Sequence, residues 1–276
     1  MHLTTADPME GDATAASPSS PPDNAMIKVS RVTYYYPGKV PLLALQGVEM
    51  AVASGEFVSL IGPSGCGKST MLRLMSDLLR PTYGSIRVAG QSPEQVRRTR
   101  QVGFVFQEPA LMPWRSTLGN VMLPLQVMGR ANKAGKAKAR EMIGLVGLAE
   151  FDSKRPTELS GGMRQRVSIA RALTYSPQIL LMDEPFGALD QITRDEMNQE
   201  LLRIWEANRT TLVFVTHSIA EAVYLSDRVL VMSVRPGTVT ASIPIQLPRP
   251  RRPDVKRSPQ FFEYETTVLR ALEGRV

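Results

Sequence analysis

The chain has 276 residues, 43% of them hydrophobic and 21% charged, with a formal net charge of +7. That balance predicts a core large enough for one α/β domain, with or without a modest inserted subdomain, and excludes general disorder. The longest apolar runs, such as Ile179 to Met182, fall far short of the roughly 20 residues a membrane-crossing helix needs, so no bilayer-spanning segment is expected.

Met1 to Asn24 is rich in Ser, Pro, Ala and Thr and lacks the basic start and apolar run of an export signal. A disordered tail over residues 1–24 is expected. Met26 to Thr33 and Leu43 to Val52 alternate apolar with polar residues, as an antiparallel pair with one wet face does. Phe57 to Ile61, Val102 to Phe106, Ile179 to Met182 and Leu212 to Val215 are continuous apolar runs, the mark of parallel strands buried on both faces. Between the last two, Gln191 to Ala207 carries Ile192, Met197, Leu201, Leu202, Ile204 and Trp205 at helical spacing, predicting a crossover helix.

From about Pro109 to Thr157 strand signals vanish, while Leu118, Val121, Met122 and Leu125, then Met142, Ile143 and Val146, recur at helical intervals. An inserted helical subdomain over about residues 109–158 is expected. Beyond His217 come a short helix, strands near Arg228 to Val234 and Thr238 to Ile245, a Pro/Arg-rich linker, and a helix from about Gln260. The expected organisation is a doubly wound α/β domain over 25–246, followed by a linker and C-terminal helix over 247–276.

The positive charge is concentrated in two places. Arg130, Lys133, Lys136, Lys138 and Arg140, together with Arg249, Arg251, Arg252, Lys256 and Arg257 less Asp254, exceed the whole net charge, so the rest of the chain is slightly acidic. Both clusters read as solvated surface, and no nucleic-acid partner is expected. Cys66 has no second cysteine in the chain to pair with, which points to a reducing, cytoplasmic setting.

Gly62, Pro63, Ser64, Gly65, Cys66, Gly67, Lys68, Ser69 and Thr70 follow a predicted strand and open a helical pattern at Met71, Leu72, Met75 and Leu78. This is the context of a phosphate-binding loop, in which backbone N–H groups and a helix N-terminus face the phosphates. Lys68 supplies a point charge to them, and the Ser69 hydroxyl is suited to Mg²⁺. Cys66 is expected to be a small packing residue, since the sequence offers no base to activate it. The strand Ile179 to Met182 runs into Asp183 and Glu184. Asp183 suits the Mg²⁺ shell, and Glu184, one residue further out, suits a general base. Leu212 to Val215 runs in the same way into Thr216 and His217, the one histidine outside the N-terminal tail, which is expected to sense the γ-phosphate.

Phosphate loops serve many enzyme classes; a second motif narrows the choice. Leu159, Ser160, Gly161, Gly162 and Met163 pair a Ser N-cap with two glycines at the start of a helix through Leu173, a second anion-binding helix end. With the helix after it, this segment resembles the signature of the ABC ATPases, and the likeness covers nearly all of Met26 to Ile245. The resemblance implies that Tyr36 stacks on adenine, Gln107 is the Q-loop glutamine and a Mg²⁺ ligand, Gly187 to Asp190 form the D-loop, and His217 is the switch histidine. It also implies two ATP molecules sandwiched head to tail between two domains, each phosphate loop facing the partner's Ser160 to Gly162. Met163 stands where many members have Gln, and Gly187 replaces a commoner Ser.

Glu108 to Leu125, with Trp114, and the closing Pro-Arg segment further resemble the bacterial importers of nitrate, sulfonate, taurine, bicarbonate and thiamine precursors. That likeness implies integral membrane permease partners, a periplasmic or lipid-anchored solute-binding protein, and a peripheral position on the cytoplasmic face of the inner membrane. It leaves the solute open, and also whether the pair is a homodimer or a heterodimer. Trp114, with Leu111 and Met112, suits an anchor for a permease helix or, equally, a packing role inside the helical subdomain. A soluble ABC ATPase acting on ribosomes or DNA is the alternative, disfavoured by the absence of a second ATPase domain and by the acidic remainder.

Overall fold

The computed structural model describes residues 25–187, 189–234 and 236–274; the tail expected over 1–24 lies outside them. The chain opens with β1 (Ala25–Tyr36) and β2 (Leu42–Ala53), then β3 (Phe57–Ile61), α1 (Lys68–Met75), β4 (Tyr83–Val88), α2 (Pro93–Arg98) and β5 (Val102–Val105). Short helices follow, α3 (Thr117–Val121), α4 (Leu123–Val127) and α5 (Lys133–Leu145), before α6 (Gly161–Leu173). The remainder is β6 (Ile179–Asp183), α7 (Gln191–Asn208), β7 (Thr211–Val215), α8 (Ile219–Leu225), β8 (Arg228–Met232), β9 (Val239–Pro244) and α9 (Pro259–Leu272). None of the described helices is long and apolar enough to cross a membrane.

Two sheets result. One is antiparallel in the order β2-β1-β4; the other runs β5-β6-β7-β3-β8-β9, parallel except for β9. The continuous apolar runs are explained by what lies on either side of the second sheet. Phe57, Ile61, Leu180, Met182, Leu212 and Phe214 point into one core, shared with α6, α7, α8 and α9. Val58, Leu60, Ile179, Leu181, Val213 and Val215 point into the other, shared with α1 and the antiparallel sheet. Full burial of one such side chain stabilises by about 1.5–3 kcal/mol, and a polar residue on either face would meet no water.

β4 and α2 are additions to the sequence reading. In β4 only Ile86 and Val88 are buried, too few positions to establish an alternation. α2 had a readable start, because Ser92 caps Gln95, Gln95 caps Ser92 and Pro93 occupies the first turn, a capping box.

Two expectations need correction. Ile192 is 75% exposed; α7 buries Met197, Leu201, Leu202, Ile204 and Trp205 instead. The C-terminal basic segment is not a solvated linker. Arg251 is 5% exposed and donates to the carbonyls of Val223, Tyr224, Ser226 and Ile245. Arg249 pairs with Asp227 at 2.8 Å and covers the Trp205 ring at 4.2 Å. The end of α8 offers carbonyls that no helical N–H reaches, and a guanidinium is well shaped to collect them. The basic face of α5 does lie at the surface, with Lys133, Lys136 and Arg140 exposed, as is Arg130 just before the helix.

Candidate nucleotide-binding and hydrolysis site

β6, β7 and β3 lie side by side, and their carboxyl ends finish level: Asp183 is paired with Val215, and Val215 with Leu60. The three segments that leave this edge carry the phosphate loop, the Asp183-Glu184 pair and the Thr216-His217 pair. An open parallel sheet places its ligands at such an edge. The Glu184 amide donates to Val215 O (3.0 Å) and the Thr216 amide to Leu60 O (3.3 Å), so each strand end is fastened to its neighbour.

Gly62 to Thr70 wrap the start of α1. Gly67 is its N-cap at φ 95°, where a Cβ would also lie 2.5 Å from Leu45 Cδ2; only glycine meets both demands. The Lys68 ammonium is buried and donates to Gly62 O (2.7 Å) and Pro63 O (3.1 Å), which fixes its charge in the middle of the loop. Cys66 is fully buried with Sγ 3.7 Å from that ammonium. A cavity of about 570 Å³ opens in front, lined by Tyr36, Leu42, Ser64, Gly65, Gly67, Lys68, Ser69, Thr70, Gln107, Glu184 and His217 among others. Its size suits a nucleotide. The Tyr36 hydroxyl bonds the Thr70 hydroxyl at 2.9 Å, and Tyr34 packs edge-on against its ring.

Three interactions hold the polar groups at the mouth. Ser69 Oγ donates to Asp183 Oδ1 (2.8 Å). Gln107 Nε2 donates to Glu184 Oε2 (3.2 Å), and His217 Nε2 lies 2.5 Å from Glu184 Oε1. Burial raises the pKa of Asp183, opposed by the Ser69 bond and by the charges of Arg73, Lys68 and His217. Glu184 sits at φ 46°, a left-handed backbone that costs a non-glycine residue about 1–3 kcal/mol and gathers at functional sites. Among the described residues no three His, Cys, Asp or Glu side chains gather as a metal cage. The Ser69 hydroxyl and Asp183 carboxylate, hard oxygen donors 2.8 Å apart, fit a hard cation that shares its shell with phosphate and water, as Mg²⁺ does.

Ser160, Gly161, Gly162 and Asp190 lie apart from this cavity, since none of them lines it. Ser160 caps α6, its Oγ accepting from the Met163 amide (3.2 Å). Asp190 caps α7, accepting from the Thr193 amide (3.0 Å) and hydroxyl (2.8 Å); these bonds, the backbone one first, lower its pKa.

Sequence reading missed several supports. Gln165 Nε2 donates to Phe106 O (3.0 Å), just before Gln107, and Arg171 donates to the carbonyls of Pro109 and Ala110 (2.9 Å each). Behind His217, the buried Glu221 lies 3.6 Å from a half-buried Arg194. Each belongs to an ordinary helix-surface pattern, so nothing local distinguishes it.

A family model described as ABC transporter matches residues 45–187, just over half of the chain. A bicarbonate transport ATP-binding protein of Synechococcus elongatus is 41% identical over 263 residues, covering 94% of each chain. A nitrate import ATP-binding protein of Synechocystis sp. is 42% identical over 240 residues, covering 85% of this chain and 90% of its own. Among solved structures, a dimeric ATP-binding cassette in a post-hydrolysis state, bound to ADP and Pi, is similar at TM-score 0.73 and 36% identity, covering 80% of this chain and 100% of its own. With the fold, the phosphate loop and the signature helix in place, this chain belongs to the ABC transporter family, as the ATP-binding and ATP-hydrolysing subunit of an importer.

Proposed function

We propose that Glu184 is the general base of ATP hydrolysis, activating the attacking water, with Gln107 and His217 orienting its two oxygens. The observation that carries this is the Glu184 carboxylate itself, gripped on one oxygen by Gln107 and adjacent on the other to His217, at the mouth of the cavity that contains Lys68. A positioned base needs a fixed direction as well as a free lone pair. Ser69 and Asp183, with Gln107, would hold Mg²⁺, which would supply neutralisation of the phosphate charge. Lys68 and the loop amides bind the phosphates, and Tyr36 stacks on the adenine.

The finer assembly is part of the same proposal. Two such chains, identical or paired with a related subunit, meet head to tail, so that Ser160 to Gly162 of one reach the nucleotide of the other. Residues 25–246 form the nucleotide-binding domain, with 109–158 as its helical subdomain. The complex sits at the cytoplasmic face of the inner membrane against permease subunits. Trp114 is 69% exposed and so does not pack the helical subdomain. Two residues before it in the chain, Met112 lines an apolar groove of about 550 Å³ with Phe104, Phe106, Leu123, Val127 and Met128, which favours a seat for a permease helix. The relatives' names favour a small oxyanion such as nitrate or bicarbonate as the solute, delivered by a separate binding protein.

Glu184→Gln tests the central assignment. It should leave the affinity for ATP within about threefold while slowing hydrolysis by roughly 10²- to 10⁴-fold. Unchanged turnover in the purified variant would remove Glu184 from the role.

A further inference from the structure

The turn that carries His217 is held from behind by groups that do not touch the phosphate loop. The Thr216 hydroxyl donates to Glu221 Oε2 (2.5 Å) and accepts from the Ser218 amide (3.0 Å), bracketing His217 on both sides. Glu221, in the first turn of α8, is 7% exposed. Its other oxygen lies 3.6 Å from Arg194 Nε. Arg194, in the first turns of α7, reaches back with Nη2 to the carbonyl of Leu189 (2.8 Å), next to Asp190 at the helix start. Both side chains line one cavity with Gln107, Glu184, Gly187 and His217.

Packing alone does not account for this pair. Glu221 is buried and Arg194 only partly so, so desolvation of the carboxylate offsets much of their Coulomb attraction, and well-packed apolar side chains would hold α7 against α8 about as firmly. What apolar side chains could not do is bond the Leu189 carbonyl at one end and the Thr216 hydroxyl at the other. We propose that Arg194 and Glu221 are positioning residues for ATP hydrolysis, tying the loop before α7 to the turn that presents His217 to Glu184. The proposal rests on the assignment of His217 and Glu184 to the hydrolytic step.

The joint between Arg194 Nε and Glu221 Oε1 is the slack one in this chain of contacts. Arg194 Nε has no hydrogen-bond partner, and a shift of about 0.8 Å would bring it to the ~2.8 Å of a charge-assisted bond. A small movement of the 189–190 loop therefore reaches His217 as a change in how firmly its turn is braced.

The test is steady-state MgATP hydrolysis by the purified full chain. Glu221→Gln keeps an acceptor for Thr216 but removes the charge facing Arg194. Arg194→Lys keeps the charge but loses the fork that reaches Leu189. Each should lower kcat about tenfold, counted per ATP-binding site titrated in the same sample so that unfolded chain does not enter the figure, while leaving KM for ATP within about twofold. Because both variants break one chain of contacts, the double variant should be no more than about twofold slower than the worse single one. Wild-type kcat in either single variant, or losses that multiply in the double one, would overturn the relay. Should Glu221→Gln fail to fold, Arg194→Lys decides alone, since its side chain is 28% exposed. Glu184→Gln runs in parallel: a slow Glu184→Gln beside normal relay variants leaves the site standing and sinks only the relay, whereas a fast one sinks the site assignment and the relay with it.

Discussion

Two helix N-termini in this molecule face the same chemical problem and solve it differently. α1 begins at Gly67, with no side chain capping its first turn, and opens into the cavity that holds Lys68, Glu184 and His217. α6 begins at Ser160, whose hydroxyl already accepts from the Met163 amide, and it faces none of those groups. An uncapped first turn with a fixed ammonium beside it is a finished phosphate cradle within one chain. A capped, glycine-lined first turn whose neighbouring guanidinium, Arg164, is already engaged by the Leu159 carbonyl at 2.7 Å is half of one, and under the proposed pairing its anion is the γ-phosphate held by the other chain. Under that proposed pairing, the contrast separates binding, which one chain can do, from hydrolysis, which would need two.

The strongest way to break that contrast is at the α1 end. Lys68→Ala removes a buried charge whose position the Gly62 and Pro63 carbonyls fix. Truncating one partner of a desolvated charge pair costs about 2–5 kcal/mol, so ATP affinity should fall roughly 30-fold or more. Titration with a fluorescent ATP analogue at chain concentrations too low for pairing checks it. A fall of less than about threefold would show that the α1 end does not carry the binding that the comparison assigns to it.

At the α6 end, Ser160→Arg should leave that single-chain affinity within about threefold but slow MgATP turnover by roughly 10- to 100-fold, because the long cation displaces the amides from the phosphate they are meant to meet. Mixing the variant with wild-type chain sharpens the point. Each composite site of a mixed pair combines one chain's phosphate loop with the other's signature, so one of the two sites stays intact and activity should recover in part. Equal loss of binding and turnover in Ser160→Arg would mean that the two ends are not divided in this way.

How much of this was readable depended on whether the signal was local. The phosphate loop, the Asp183-Glu184 pair and His217 each follow a continuous apolar run, and a doubly buried strand in a parallel sheet leaves that run as its trace. The level ends of β3, β6 and β7 then follow from topology. Arg249 and Arg251 were illegible for the opposite reason. Their partners are Asp227, Trp205 and the carbonyls that end α8, groups more than 20 residues away whose need for donors appears only once the segment folds back. Beside a proline, a charged residue reads the same whether water or a helix end receives it. Ile192 shows the converse, an apolar residue in helical phase that faces outward, because α7 buries a narrower stripe than its spacing offers.

The smallest expected effect isolates the cap itself. Ser160→Ala removes the bond to the Met163 amide without adding bulk at the helix start. Loss of such a cap costs about 1 kcal/mol, whereas Ser160→Gly costs only a few tenths. Denaturant melts of the two variants should therefore differ by most of 1 kcal/mol in stability. Their turnover should be nearly equal if the backbone amides, rather than the hydroxyl, face the phosphate. α1 has no matching cap to lose, and Gly67→Ala there should act through strain, since φ 95° and the 2.5 Å approach of Leu45 both resist a methyl group. If the α6 end were as finished a site as α1, Ser160→Ala would disturb nucleotide binding by a single chain as well. Equal affinity in wild type and Ser160→Ala, with the stability loss present, is the outcome that keeps the two ends distinct.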